Sequence, residues 1–181
     1  ESYSNGTLIA WVKIPVLSHT QDTTIYMYYG NSNATEPAAD SSSGSQNVWT
    51  NGYASVYNLS TNSGGSLNTN DSTANGNNGI NGGATAGTGQ IDGAGSFNGA
   101  YVTISLSQTS PVTIAAWVNL TSVSAQGIVV YTAGNPNSSW TNELCTTATS
   151  FQAYAWDGAA KTVTDTTSIQ AGQWYYVVMT A

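Results

Sequence analysis

The 181 residues include 2 Lys or Arg against 9 Asp or Glu, and charged side chains make up 6% of the chain, where a soluble domain carries about a quarter. With a net charge of −7 and Lys13 and Lys161 as the only bases, nothing can neutralise phosphates, which excludes nucleic acid and anionic membrane surfaces as partners. Polarity comes instead from 23 Ser, 25 Thr and 18 Asn, groups that hydrate without ionising.

Alternation with period two runs through the patterned stretches and helical spacing is sustained nowhere, so the sequence predicts an all-β protein. Two β-branched and aromatic runs come first, residues 7–14 ending at Pro15 and residues 23–29 ending at Gly30. Residues 36–52 turn to Ser, Asn, Ala and Gly, a flexible composition that reads as a linker between a small β element at 1–35 and a domain at 53–181. A short strand is expected at 53–59. The Gly- and Asn-rich stretch 60–95 that follows holds almost no large apolar residue, and a loop of that length is usually functional or unstructured.

Strand signals return at sandwich spacing over 100–106, 112–120, 127–131, 143–147, 151–156, 161–165 and 174–180. Separators such as Gly134-Asn135-Pro136-Asn137 and Asp157-Gly158 supply positive φ or a fixed φ for turns. Val112, Ile114, Ala116 and Val118 alternate along one face and predict the clearest buried strand. No run of 18 apolar residues occurs, so no membrane-inserted segment is expected. Residues 174–179 read as a strand in mid-course, which predicts that the chain is a piece of something longer.

Five blocks in order carry a family resemblance: Tyr57-Asn58-Leu59; Asp71-Ser72-Thr73-Ala74-Asn75-Gly76-Asn77-Asn78-Gly79; Gly93-Ala94-Gly95-Ser96-Phe97-Asn98-Gly99-Ala100-Tyr101-Val102; Val112-Thr113-Ile114-Ala115-Ala116-Trp117-Val118; and Gly172-Gln173-Trp174-Tyr175-Tyr176-Val177-Val178. Together they resemble a laminin G-like (LamG) domain of the concanavalin A-like superfamily. Departures are Ala74 where that family usually has Gly, Ala115 where Ser is common, and Asn58 in place of a common His-containing word. The resemblance implies an antiparallel β-sandwich, a jelly roll, over 53–181, incomplete at its C-terminus. Ala10-Trp11-Val12-Lys13-Ile14-Pro15 and Thr23-Thr24-Ile25-Tyr26-Met27-Tyr28-Tyr29-Gly30-Asn31 resemble the closing strands of a β-rich domain of unknown function that precedes LamG domains in prokaryotic surface proteins. That tandem implies an extracellular or cell-surface location.

Hard oxygen donors gather in the loop 71–79, where Asp71 is joined by the carboxamides of Asn75, Asn77 and Asn78. Calcium takes about six to eight oxygens. The resemblance implies Ca²⁺ near this loop, with Asp71 and Asn75 as side-chain ligands and Asp92 as a weaker third. The same residues suit an Asn/Gly turn network in which Asp71 caps backbone amides.

Catalytic patterns are poor. His19 is the only histidine, so any Ser-His-Asp, Cys-His or His-based zinc site would have to be built around it. Asp22, Glu36, Asp40, Glu143, Asp157 and Asp165 fall mostly in turns, and no two acids stand two residues apart, as a carboxylate pair flanking one glycosidic bond from a single strand would. No enzyme is expected. Cys145 is single, so it forms no internal disulfide and reads as a small buried hydrophobe. Trp49, Trp140 and Trp156 lie beside turns, where an aromatic platform for a sugar ring could form, whereas Trp11, Trp117 and Trp174 are assigned to packing. The expected function is a surface recognition or adhesion module that binds a glycan or a surface protein through sandwich loops. The alternative is a subunit of an extracellular filament, sheath or virion fibre that joins copies of itself by strand addition. A glycoside hydrolase fragment is the remotest reading.

Overall fold

The computed structural model describes residues 2–4, 6–107, 111–132, 140–156 and 159–181, with side chains described at the same positions except 2–4, 132, 140 and 141. Among the described residues the regular elements are β-strands and one short 3-10 turn, and all pairings between the named strands are antiparallel. The chain divides into two compact units, residues 1–107 and 108–181.

In the first unit a hairpin joins β1 (Ser2–Ser4) to β2 (Thr7–Ile9). The strand expected over 7–14 is confined to that short piece, and the one expected over 23–29 does not form. Its residues have the right propensity, but β-propensity expresses packing on a half-buried pleated surface, and here Tyr26, Tyr28 and Tyr29 are 79%, 93% and 87% exposed. A 3-10 turn (Ser45–Asn47) lies within 36–52.

Residues 53–61 form no regular strand but turn back along 67–72. The Ser72 amide donates to the Val56 carbonyl and the Asn68 amide to the Ser60 carbonyl, both at 2.8 Å, and a Thr61–Leu67 bridge closes the turn. The stretch 60–95, expected as one long loop, contains strands. β3 (Ile80–Gly82) pairs with β6 (Tyr101–Thr103), and β4 (Thr85–Thr88) pairs with β5 (Gly93–Ser96). Made of Gly, Ala, Thr and Ser, β4 and β5 carry no apolar alternation to announce them. Gly93 is needed where it stands, because a Cβ there would lie 2.7 Å from the Cα of Ser60.

The second unit follows the sequence expectation closely. β8 (Gln126–Thr132), β9 (Trp140–Thr146), β10 (Phe151–Trp156) and β11 (Ala160–Thr164) form a four-stranded sheet in the order β11-β10-β9-β8. β7 (Thr113–Asn119) and β12 (Trp174–Thr180) form a ribbon paired from Thr113↔Thr180 to Asn119↔Trp174. The turns expected at 134–137 and 157–158 lie outside the described residues.

The predicted inward face of 112–118 is the inward face observed: Val118 is buried and Ala116 packs with it against Phe151, Leu120 and Ile169. Tyr175 and Val177 of β12 join this core, and the Tyr175 ring meets Phe151 edge-on at 5.4 Å. Burial of one such aliphatic or aromatic side chain is worth about 1.5–3 kcal/mol, so this cluster fixes the register of the ribbon. The opposite face is different. Trp117, assigned to packing, is 43% exposed there, with its ring 5.3 Å from that of Tyr176.

Candidate functional site: a tryptophan-walled cleft

The first unit holds a cleft of about 340 Å³. One wall is aromatic. Trp11 and Trp49 lie 5.3 Å apart at an interplanar angle of 57°, and Trp49 in turn meets Tyr53 edge-on at 5.4 Å. Each ring fixes the next, since tilted and edge-to-face contacts satisfy the quadrupoles of the π-systems. Lys13 reaches across to Thr50, donating from Nζ to Oγ1 at 2.5 Å, and this bond ties the extended segment that carries Trp11 to the one that carries Trp49.

Most of the remaining side chains that line it are neutral and polar, Ser43, Ser45 and Gln46 from the segment around the 3-10 turn and Asn58 and Ser72 from the paired segments 53–61 and 67–72, with Ala39 and Val48 beside them. Asn58 donates from Nδ2 to Ser72 Oγ at 3.2 Å, so the hydroxyl and carboxamide stand together. Trp49 was anticipated from its place beside a turn. Trp11 was not, although a signal existed: it shares its side of the extended segment with Lys13, which must reach water.

Asp71 also borders this cleft, but its carboxylate faces inward. Oδ1 accepts the amides of Val56 at 3.0 Å and Thr73 at 2.9 Å; Oδ2 accepts the Thr73 hydroxyl at 2.8 Å and the Asn77 amide at 3.0 Å. Asn75 is connected to it through Thr73, whose Oγ1 accepts the Asn75 amide at 3.1 Å. The Asn75 carboxamide donates to the carbonyls of Tyr53 and Ala54, and the Asn77 carboxamide also donates to Ala54. Tyr57 donates its hydroxyl to the Asn77 carbonyl. Burial raises the Tyr57 phenol above its usual pKa; a bond with Ser55 works the other way, and the Asp71 charge adds to the rise.

Two further sequence candidates lie in the second unit. Trp156 ends β10 in the second unit and is 48% exposed. Trp140 begins β9, and its side chain lies outside the described residues. A second cavity of about 340 Å³ opens between the sheets of the second unit, lined by Leu144, Phe151, Ala153 and Val163 on one side and Tyr175, Val177 and Met179 on the other. Its mainly apolar lining is that of a sandwich interior in which two strands face four.

On β9, burial pushes the Cys145 thiol up to about 11, with the Glu143 charge adding to the rise, and Sγ donates to the Gln152 carbonyl at 3.3 Å. Burial raises the Glu143 carboxyl as well. Among the described residues no three of His, Cys, Asp and Glu converge, and no helix is long and apolar enough to cross a membrane.

Comparison with known families divides the chain in two. Residues 92–181 match the laminin G model described as the concanavalin A-like lectin/glucanases superfamily, and residues 1–70 match a domain of unknown function, DUF2341. No curated protein and no solved structure matches the chain.

Proposed function

We propose, from a chain that joins a DUF2341 segment to a laminin G-like segment of the concanavalin A-like superfamily, that this protein is a non-catalytic recognition module of an extracellular protein, and that it holds a neutral carbohydrate in the cleft of its first unit. The observation that carries this reading is the Trp11–Trp49 wall facing Ser43, Gln46, Asn58 and Ser72. Sugars offer apolar C–H faces and neutral hydroxyls, and this lining offers rings for the first and uncharged donors and acceptors for the second. An ionic ligand finds little here: Asp71 is turned toward backbone amides and Lys13 toward Thr50. The superfamily description spans lectins and glucanases; the scattered carboxylates favour binding over hydrolysis.

A glycan array followed by calorimetry on the best ligand tests the reading. Trp49→Ala is expected to weaken binding roughly tenfold or more, as for a buried aromatic anchor, whereas Trp156→Ala leaves it unchanged. Flat binding across neutral glycans, or equal losses in both variants, would refute it.

A second reading has its own support. Residues 23–29 have strand composition, form no strand among the described residues, and expose Ile25, Tyr26, Met27, Tyr28 and Tyr29. Such a segment suits strand addition to another copy of the chain in a polymer. Electron microscopy and light scattering at rising concentration separate the two, because only the polymer predicts growth in mass.

A further inference from the structure

We infer that the loop 71–78 is a cation-independent knot, in which the chain's own donors occupy the place of a bound calcium ion and hold the inner wall of the cleft. The inference rests partly on the carbohydrate reading, since Ser72 and Asn58 gain significance from the cleft they line.

Oxygen by oxygen, the loop does not fit Ca²⁺. A carboxylate has about four lone-pair directions. At Asp71 all four are taken, two on each oxygen, by three amides and one hydroxyl at 2.8–3.0 Å. Several neighbouring oxygens are engaged as well. Thr73 Oγ1 accepts from Asn75, Asn78 Oδ1 accepts the Asp71 amide at 2.9 Å, and the Gly76 carbonyl accepts the Asn78 amide at 2.8 Å. The Ala54 carbonyl accepts from both Asn75 and Asn77. A calcium ion, which needs about six to eight oxygens, would have to break this set before it found a first carboxylate ligand. Asp71 is also 9% exposed, which leaves its charge answered by N–H and O–H dipoles in the interior of the unit.

The knot has a positional consequence. By accepting the Val56 amide while the Ser72 amide bonds back to the Val56 carbonyl, Asp71 fixes the two segments whose side chains Asn58 and Ser72 form the polar wall. Asp71 is thus a positioning residue for the cleft.

Thermal unfolding of the wild-type chain in EDTA and in CaCl₂ up to about 10 mM, well above the roughly 0.1–1 mM at which extracellular calcium modules saturate, reads the knot directly. The same midpoint in both is expected, as is no saturable Tb³⁺ luminescence sensitised by Tyr57 or Trp49. Asp71→Asn, which sets an amide donor against the Asn77 amide and the Thr73 hydroxyl, is expected to lower the midpoint by several degrees in both buffers. A saturable rise in midpoint with Ca²⁺, or saturable Tb³⁺ binding lost in Asp71→Asn, would overturn the knot. If Asp71→Asn fails to fold, the wild-type comparison still decides. Glycan binding with and without EDTA keeps the two readings apart. An absence of binding in either buffer sinks the carbohydrate reading and leaves the knot to the unfolding data, whereas binding abolished by EDTA together with a lowered midpoint sinks the knot.

Discussion

Cys145 shows how an environment sets one side chain's chemistry. With its thiol held near 11 by burial and the nearby Glu143 charge, it is protonated at neutral pH and donates to the Gln152 carbonyl. Thiolate, not thiol, is the nucleophile, so the folded chain is expected to react with a disulfide reagent only as fast as it unfolds. The folded state binds the thiol proton more tightly than the unfolded chain, whose value is near 9. Stability from this group is therefore complete below about pH 9 and lost as pH rises toward 11. Tyr57, also raised, acts in the same direction above its ordinary value of 10. Denaturant titrations from pH 8 to about 11 should show a decline that is shallower in Cys145→Val. Residue-level reading of the sequence found Asp71 and Asn75 as an oxygen-rich set and set backbone amides beside calcium as partners for Asp71, but not which amides those would be. Composition names the donors and acceptors, whereas the fold of 53–61 onto 67–72 pairs them.

Among the elements, legibility tracked the strength of the alternating pattern. β7, β10 and β12 are rich in β-branched and aromatic side chains, and their boundaries fall within a residue or two of expectation. β4 and β5 are built from Thr85-Ala86-Gly87-Thr88 and Gly93-Ala94-Gly95-Ser96, whose pairing rests on backbone bonds and close approach. Residues 23–29 fail the other way, with ample propensity and no strand partner among the described residues. The asymmetry of β7 makes a direct test. Val118→Ala removes two methyl groups from the buried cluster and should destabilise the chain by about 2 kcal/mol, whereas Thr113→Ser, on an exposed position of the same strand, should stay within about 0.5 kcal/mol. Chemical denaturation of both variants measures the difference.

At the scale of the whole molecule, charged side chains are sparse, and the one carboxylate bordering the cleft, Asp71, is taken up by backbone amides and the Thr73 hydroxyl, so ligand recognition should not depend on ionic strength. Raising NaCl from about 0.05 to 0.5 M shortens the screening length from roughly 14 to 4 Å, yet the glycan affinity is expected to shift less than twofold. A steep salt dependence would point to an ionic contact that the cleft lacks.

The ribbon of β7 and β12 has a mechanical corollary. Thr113 lies opposite Thr180, and Val112 and Ala181 exchange both backbone bonds, at 2.8 and 2.9 Å, so the outer ends of the two strands sit side by side. Tension applied through residues 111 and 181 would peel this zipper open one rung at a time instead of shearing all its rungs together. A single-molecule pulling experiment should find the second unit yielding at low force, like a clasp that lengthens under load before any tether to it snaps.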